Sequence, residues 1–350
     1  MPTSDPQLTD RIKAANVIAR QHFGVFQWPT LVLMTVLVAV QVALIGAGLT
    51  GQFPLALAVA LVALLQYPSY ICYHEAAHGN IAGGRVTVVN ETAGSLLGVV
   101  LGVPLIAHRK EHLAHHAYTN RDGADPDRIA FARGRFEAGS SVRLLGQQYR
   151  FFVSRSWAAA TRGERLRFAL ETGIILALRA ALIAAFGWQG LVVVATVPLV
   201  GVALIGYLVV YLVHAVPAPL PEGRWVDTIS YETDHLPRAV RRLVEWGWMG
   251  HHVHGIHHLY PKVPFYRQQE VFDEIRGLMA DLGAPVRRLW APSGLREATT
   301  LAPPTATPLA RRGWAREATS AARNHDDRQQ SNERRNGTHE SAEPASALDR

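Results

Sequence analysis

The chain has 350 residues, of which 49% are hydrophobic and only 18% charged, with a mean hydropathy of +0.06. That balance argues against the pair of soluble domains that length alone would allow. A single cysteine, Cys72, excludes a disulfide framework, a CxxC redox pair and a Cys-ligated zinc or iron–sulfur site, so any metal has to be held by histidine or carboxylate. The net charge of +7 accompanies no helix-turn-helix or RNA-binding motif; nucleic acid is not an expected partner, and membrane topology explains the basicity better.

Residues 1–28 carry Arg11, Lys13 and Arg20 ahead of the first apolar run and form an interfacial lead-in, too long and too polar for a cleaved signal peptide. From Thr30 to Tyr73 there is no charged residue and no histidine. That is enough chain to cross a hydrocarbon core of about 30 Å twice. The run breaks at Gly48-Leu49-Thr50-Gly51-Gln52-Phe53-Pro54, where Gly and Pro mark a turn between Pro29–Leu49 and Leu55–Tyr73, a transmembrane hairpin. Val86–Ala107 is apolar but interrupted by Asn90, Glu91 and Pro104, and is expected to dip into the membrane or lie on it. A second hairpin is expected from Phe168–Phe186 and Leu191–Val213 around Gly187-Trp188-Gln189-Gly190. Arg179 in its first arm needs a polar partner or the bundle interior.

Thirteen Lys and Arg lie between Tyr73 and Phe168 and none in the two hairpin turns. By the positive-inside rule the termini and the central loop face the cytoplasm. The expected fold is an all-α integral membrane protein, with four transmembrane helices in two hairpins beneath a cytosolic helical cap. Its catalytic domain covers residues 29–290. From 291 to 350 the chain turns to Ala, Thr, Pro and charge without helical period, the composition of a disordered tail.

Eleven of the sixteen histidines fall in three clusters: His74 and His78 in HEAAH; His108, His112, His115 and His116 in HRKEHLAHH; and His251, His252, His254, His257 and His258 in HHVHGIHH. His214 ends the last expected span, and His22, His235, His325 and His339 lie elsewhere. On a helix, residues at i, i+3 and i+4 share a face, so each cluster can aim its imidazoles at one point. Together they offer more nitrogen donors than one ion can use, and two metals in one pocket is the economical arrangement. Imidazole suits several metals, but attack on an unactivated hydrocarbon beside a membrane needs a redox-active one. Zinc cannot cycle electrons, and iron is the better fit.

These three boxes, in this order and after these two hairpins, resemble the membrane-bound histidine-box fatty acid desaturase superfamily over residues 29–270. HEAAH is similar to its first box, HLAHH to its second and HGIHH to its third; Leu259-Tyr260-Pro261 and Pro264-Phe265-Tyr266 are similar to its acyl-modifying branches. The resemblance implies a non-haem di-iron centre, O2 as co-substrate and removal of hydrogen from an acyl chain. It implies the ligands His74, His78, His112, His115, His116, His254, His257 and His258, with His214 as an additional one and His108 as a weaker candidate. His252 stands where many relatives carry Asn, as a ligand or a group behind the ligands. Asp122, Asp125 and Asp127 either orient ligand rings or form an ordinary Asp/Gly/Pro turn. The chain has no nucleotide fingerprint, cysteine cluster or haem domain, so electrons are expected from a separate ferredoxin- or cytochrome-like carrier; the Arg-rich loop either attracts an acidic carrier or serves topology alone.

Three rivals stand beside desaturation. The same iron chemistry supports hydroxylation, ketone formation or oxidative decarboxylation of an acyl or carotenoid substrate. HEAAH also satisfies HExxH, in which Glu75 would be the general base of an intramembrane zinc protease, although that leaves the other two clusters without a role. A metal carrier is the non-catalytic alternative.

Overall fold

The computed structural model describes residues 6–83, 87–130, 143–216 and 225–290. The described residues from Asp10 onward form a first compact unit. The first unit holds all four apolar helices and all three histidine boxes; the expected tail at 291–350, with His325 and His339, lies outside the described residues.

After α1 (Pro6–Arg20), four helices are long and apolar enough to cross a bilayer: α2 (Trp28–Leu49), α3 (Leu55–Ala77), a later helix at Arg162–Phe186, and the segment Trp188–His214. Two more, α4 (Thr87–Leu101) and α5 (Leu105–Tyr118), meet at a 95° bend. This is the interrupted stretch of the sequence, and Pro104 sits at its break, where a proline N-caps α5 at no cost in hydrogen bonds. The second box therefore rides on α5, not in a loop.

A short helix, α6 (Gln147–Phe151), leads through a wide π-type turn into α7 (Arg162–Phe186), which starts six residues earlier than its apolar run. A reciprocal capping box explains the early start: Thr161 Oγ1 accepts from Glu164 N, and Glu164 Oε2 accepts from Thr161 N. The turn into α8 (Trp188–Ile205) is only Gly187, and α8 continues through a second π-type turn, Gly206–Tyr211, into Leu212–His214. The rest is helix in short pieces, α9 (Arg238–Gly247), α10 (His254–Leu259) and α11 (Gln268–Asp281). Extended pairing among the described residues is slight: two isolated bridges, Phe26 with Ala82 and Ser230 with Val253, and a parallel pair of three-residue strands, β1 (Ser230–Glu232) and β2 (Val286–Arg288), with Ser230 opposite Val286.

α3 is the central element: α2, α4 and α8 all pack on it. At Gly201 of α8 a β-carbon would stand 2.7 Å from the Gln66 side chain, so only glycine permits this approach. Between α2 and α3, Gln41 Nε2 donates to Ser69 Oγ (2.9 Å) and Gln66 Nε2 donates to Gln41 Oε1 (2.7 Å). These bonds satisfy amides that hydrocarbon cannot. Arg179 reaches across to the bend between α4 and α5, where its guanidinium occupies the space a β-carbon on Gly102 would need.

Candidate metal centre

Box one occupies the last turn of α3, box two the face of α5, box three α10 and the turn before it, and His214 the end of the α8 segment. The fold brings these four places together. His74, His78, His112, His116 and His257 form one group and His115, His214 and His258 a second, with the donor nitrogens of each group within 4.8 Å of one another. The groups adjoin: the rings of His116 and His258 stack at 4.3 Å. His254 joins the second group, its ring 4.7 Å from both His214 and His258.

The nitrogens point at each other. His78 Nε2 is 2.9 Å from His112 Nε2; His116 Nε2 is 3.0 Å from those of His112 and His257. In the second group His214 Nε2 lies 3.0 Å from His115 Nε2 and 3.1 Å from His258 Nε2. The tautomers make this informative. His115 Nδ1 faces the Asp125 carboxylate at 2.8 Å and His214 Nδ1 faces the Val210 carbonyl at 2.9 Å, and both oxygens can only accept. A ring kept neutral carries its proton on Nδ1 and turns Nε2 to the other. Burial lowers His115, but Asp125 and Asp127 outweigh burial and raise it to about 9, so without metal its Nε2 also holds a proton that it can donate to His214. A metal ion in place of that proton fits the same spacing, since two nitrogens each about 2.1 Å from one ion at a right angle stand about 3.0 Å apart. The donor set fits divalent metal in both groups. His74 supports the fit, since neither of its nitrogens has a protein partner although the residue is fully buried.

Outside the spans, burial holds His254, His257 and His258 well below the ordinary histidine range, and neighbouring imidazoles lower them further. Burial and then Lys262 bring His78 down to about 3. Neutral imidazole is the ligating form.

Three expectations need revision or refinement. Asp122 is not brought to the cluster: its side chain is 84% exposed and its Oδ1 pairs with Arg128 Nε at 2.6 Å. Asp125 is the carboxylate behind the imidazole groups, accepting from the backbone N–H groups of Asn120 (2.7 Å) and Asp127 (2.9 Å) while it holds His115. Burial pushes its carboxyl up, but His115 and these hydrogen bonds outweigh burial and keep it below the usual carboxylate range. His252 is turned away, its Nε2 2.7 Å from Gln269 Oε1. The turn before α10, where Met249 and Gly250 take positive φ, presents His251 instead. Its ring lies 5.4 Å from His74 and 5.2 Å from His254, and its Nε2 has no partner. Spacing of three residues from His254 was the available signal. His108 stays beside the cluster, stacked on Tyr73 at 4.7 Å and on His112 at 5.4 Å. His235 binds the Leu289 carbonyl at 2.7 Å.

Two supports carry no histidine. Arg109, on α5, donates from Nε to the Ala77 carbonyl (3.0 Å) and from Nη2 to the Ala76 carbonyl (3.2 Å), and pairs with Glu91 at 2.8 Å. It caps the helix of box one from the helix of box two. Glu75 is held by Gln27 Nε2 (3.0 Å) and Asn80 Nδ2 (3.1 Å), both on Oε2, and belongs to neither imidazole group.

The family model for fatty acid desaturase matches residues 48–290, which takes in all three boxes and His214. The chain belongs to the fatty acid desaturase family. A fatty acid desaturase of Bacillus subtilis (strain 168) is 26% identical over 220 residues, which cover 57% of this chain and 61% of that relative. In this desaturase-family chain the boxes are thus separate in sequence and joined in space, which is the arrangement the resemblance implies.

Proposed function

We propose that the protein is an oxygen-dependent desaturase of fatty acyl chains, in lipid or thioester form, working at a non-haem di-iron centre. The observation that carries this is the convergence of imidazoles from four places in the chain into two adjoining groups whose ring nitrogens face one another at about 3 Å. His74, His78, His112, His116 and His257 would hold one iron, and His115, His214, His258 and His254 the other, with His251 between them. The iron pair, with O2 and two electrons from an external ferredoxin- or cytochrome-like carrier, supplies the oxidising power for removing two hydrogens from adjacent methylenes.

The protein's own residues position. Asp125 holds the proton on His115 Nδ1 and so keeps Nε2 toward the metal. The Val210 carbonyl does the same for His214. Arg109 fixes the end of α3 against α5, setting His78 opposite His112. Methylenes differ only in where they lie relative to the metal, so placement of the chain selects the bond. In this reading the four spans form two hairpins, the metal-bearing ends and both termini face the cytoplasm, and the membrane is the inner or plasma membrane. Glu75, bound to two amide donors, has a structural role, which speaks against a zinc protease that would need it as base.

The test is expression in a host of defined lipid composition, with mass spectrometry of total lipid beside a His112→Ala control. A lipid lighter by two hydrogens and absent from the control is the expected result. A product heavier by one oxygen would replace desaturation by hydroxylation, and an unchanged lipid profile with full iron loading would sink the acyl assignment.

A further inference from the structure

Helix α9 buries none of its residues. Its sequence, RAVRRLVEWG, sets Val240, Leu243 and Trp246 in one stripe with Ala239 and Gly247 between them, and leaves Leu243 74% and Trp246 84% exposed. Arg241 turns to the opposite side, bound to Asp234 (2.9 Å) and Glu245 (2.6 Å). Arg238 and Arg242, one turn apart, form a basic flank beside the stripe, and the acidic groups nearest in chain, Asp234 and Glu245, are already taken by Arg241. An apolar stripe with a large aromatic, a basic flank and little overall hydrophobicity is the pattern of a helix that lies in a membrane surface.

The position of α9 on the spans is an independent observation. Trp248, one residue past its end, donates from Nε1 to the Leu208 carbonyl (3.2 Å) and accepts on its own carbonyl from Tyr67 Oη (2.8 Å). Tyr67 is seven residues before His74 on α3, and Leu208 six before His214 on the α8 segment. At about 1.5 Å per residue both place the end of α9 about 10 Å inward from the histidines, beside the apolar part of two spans. Tyr231 stacks on Trp248 at 5.4 Å, and Tyr207, stacked on Tyr211, is exposed at the same level; aromatic rings with polar tips gather at the headgroup boundary.

We propose that α9 is an in-plane interfacial helix, with Val240, Leu243 and Trp246 among lipid acyl chains and Arg238 and Arg242 on the phosphates of anionic lipids. This rests on the reading of α2, α3, α7 and α8 as spans. It fixes the level of the site as well: the His74 and His214 rings stand about 10 Å nearer the water than the end of α9, so an acyl chain has to leave the bilayer interior to reach them.

The sole cysteine is buried, so single spin labels can be placed without background. The full chain carrying Leu243→Cys, and separately Trp246→Cys, is labelled and reconstituted in vesicles of phosphatidylcholine and phosphatidylglycerol. Relaxation by O2, which partitions into lipid, is compared with relaxation by a water-soluble nickel chelate. Leu176→Cys on α7 and Glu274→Cys on α11, both exposed, are the lipid and water references. Both α9 labels are expected to show an O2-to-chelate ratio several-fold above that of Glu274, falling when Arg238 and Arg242 are both changed to Gln. A chelate-accessible α9 label beside a protected Leu176 label would overturn the inference alone, as would α9 labels shielded from both reagents, the mark of a protein partner. A chelate-accessible Leu176 label would overturn the spanning reading and the inference with it.

Discussion

Asp125 Oδ1 lies 2.8 Å from His115 Nδ1, and the far nitrogen of that ring lies 3.0 Å from His214 Nε2. A carboxylate from the loop after box two thereby decides which nitrogen of a box-two histidine is free to bind metal. Removing such a partner typically weakens metal binding by about 10- to 100-fold. Asp125→Asn is expected to lose iron within that range on dialysis against a chelator, measured as metal per protein, whereas Asp122→Asn keeps it. Equal loss from both variants would return Asp122 to the site.

His251 and His252 form a matched pair of opposite expectation. His251→Ala takes a ring from between the two imidazole groups and should lower iron content and alter the optical spectrum of the loaded protein. His252→Ala removes the bond to Gln269 and the ring contact with Trp248, and should cost about 1 kcal/mol or more of stability with the spectrum unchanged. The reverse ranking would show that the turn at Met249 and Gly250 presents the other imidazole.

Glu75→Gln keeps an oxygen for Gln27 and Asn80 and puts an NH2 in place of Oε1, which has no protein partner, a loss of about 1–2 kcal/mol in stability. Lipid-product formation is therefore expected to fall without vanishing. Complete loss of activity in a protein that still folds and binds metal would instead give Glu75 a chemical role.

Arg109→Ala frees the last carbonyls of α3 and leaves Glu91 with Arg167 alone. Thermal unfolding in detergent should report a loss of about 2 kcal/mol. Iron content should fall with it, because His78 follows the freed carbonyls by one and two residues. A stable variant with full iron would show that the two boxes hold their register without this tie.

Acid should destabilise the metal-free protein. Burial, with Lys262 as the second cause, holds His78 to about 3, and burial holds His251 to about 4. The unfolded chain takes up these protons near the ordinary value of about 6.5. Their contribution is therefore complete above about pH 6.5 and falls as the pH drops toward 4, by about 1.4 kcal/mol per unit for each group, while His115, raised to about 9, offsets one such group by gaining stability as the pH falls from about 9 to about 6.5. Denaturant midpoints at pH 7.5 and 5.5 test the sign; a midpoint that rises on acidification would mean these rings are open to water.

The long apolar runs and the three boxes are legible in the sequence itself, because both are local. A bilayer crossing is a matter of uninterrupted apolar length, and an i, i+3, i+4 set of histidines shares a helix face whatever surrounds it. The four apolar helices stand where the apolar runs put them, and the two imidazole groups draw on seven histidines of the boxes together with His214. What the one-dimensional pattern could not settle was direction across turns. His251 and His252 are adjacent in chain and identical in chemistry, and only positive φ at Met249 and Gly250 decides which enters the cluster. Asp122 and Asp125 share one loop; the backbone N–H groups that fold around Asp125 give it to His115 and leave Asp122 to water and Arg128. Arg109 reads in sequence as one more basic residue of a loop, and packing makes it the cap of another helix. Composition and periodicity thus determined a membrane chain with clustered metal donors, whereas the choice of ring, carboxylate and cap depended on contacts between segments tens of residues apart, which no local period encodes.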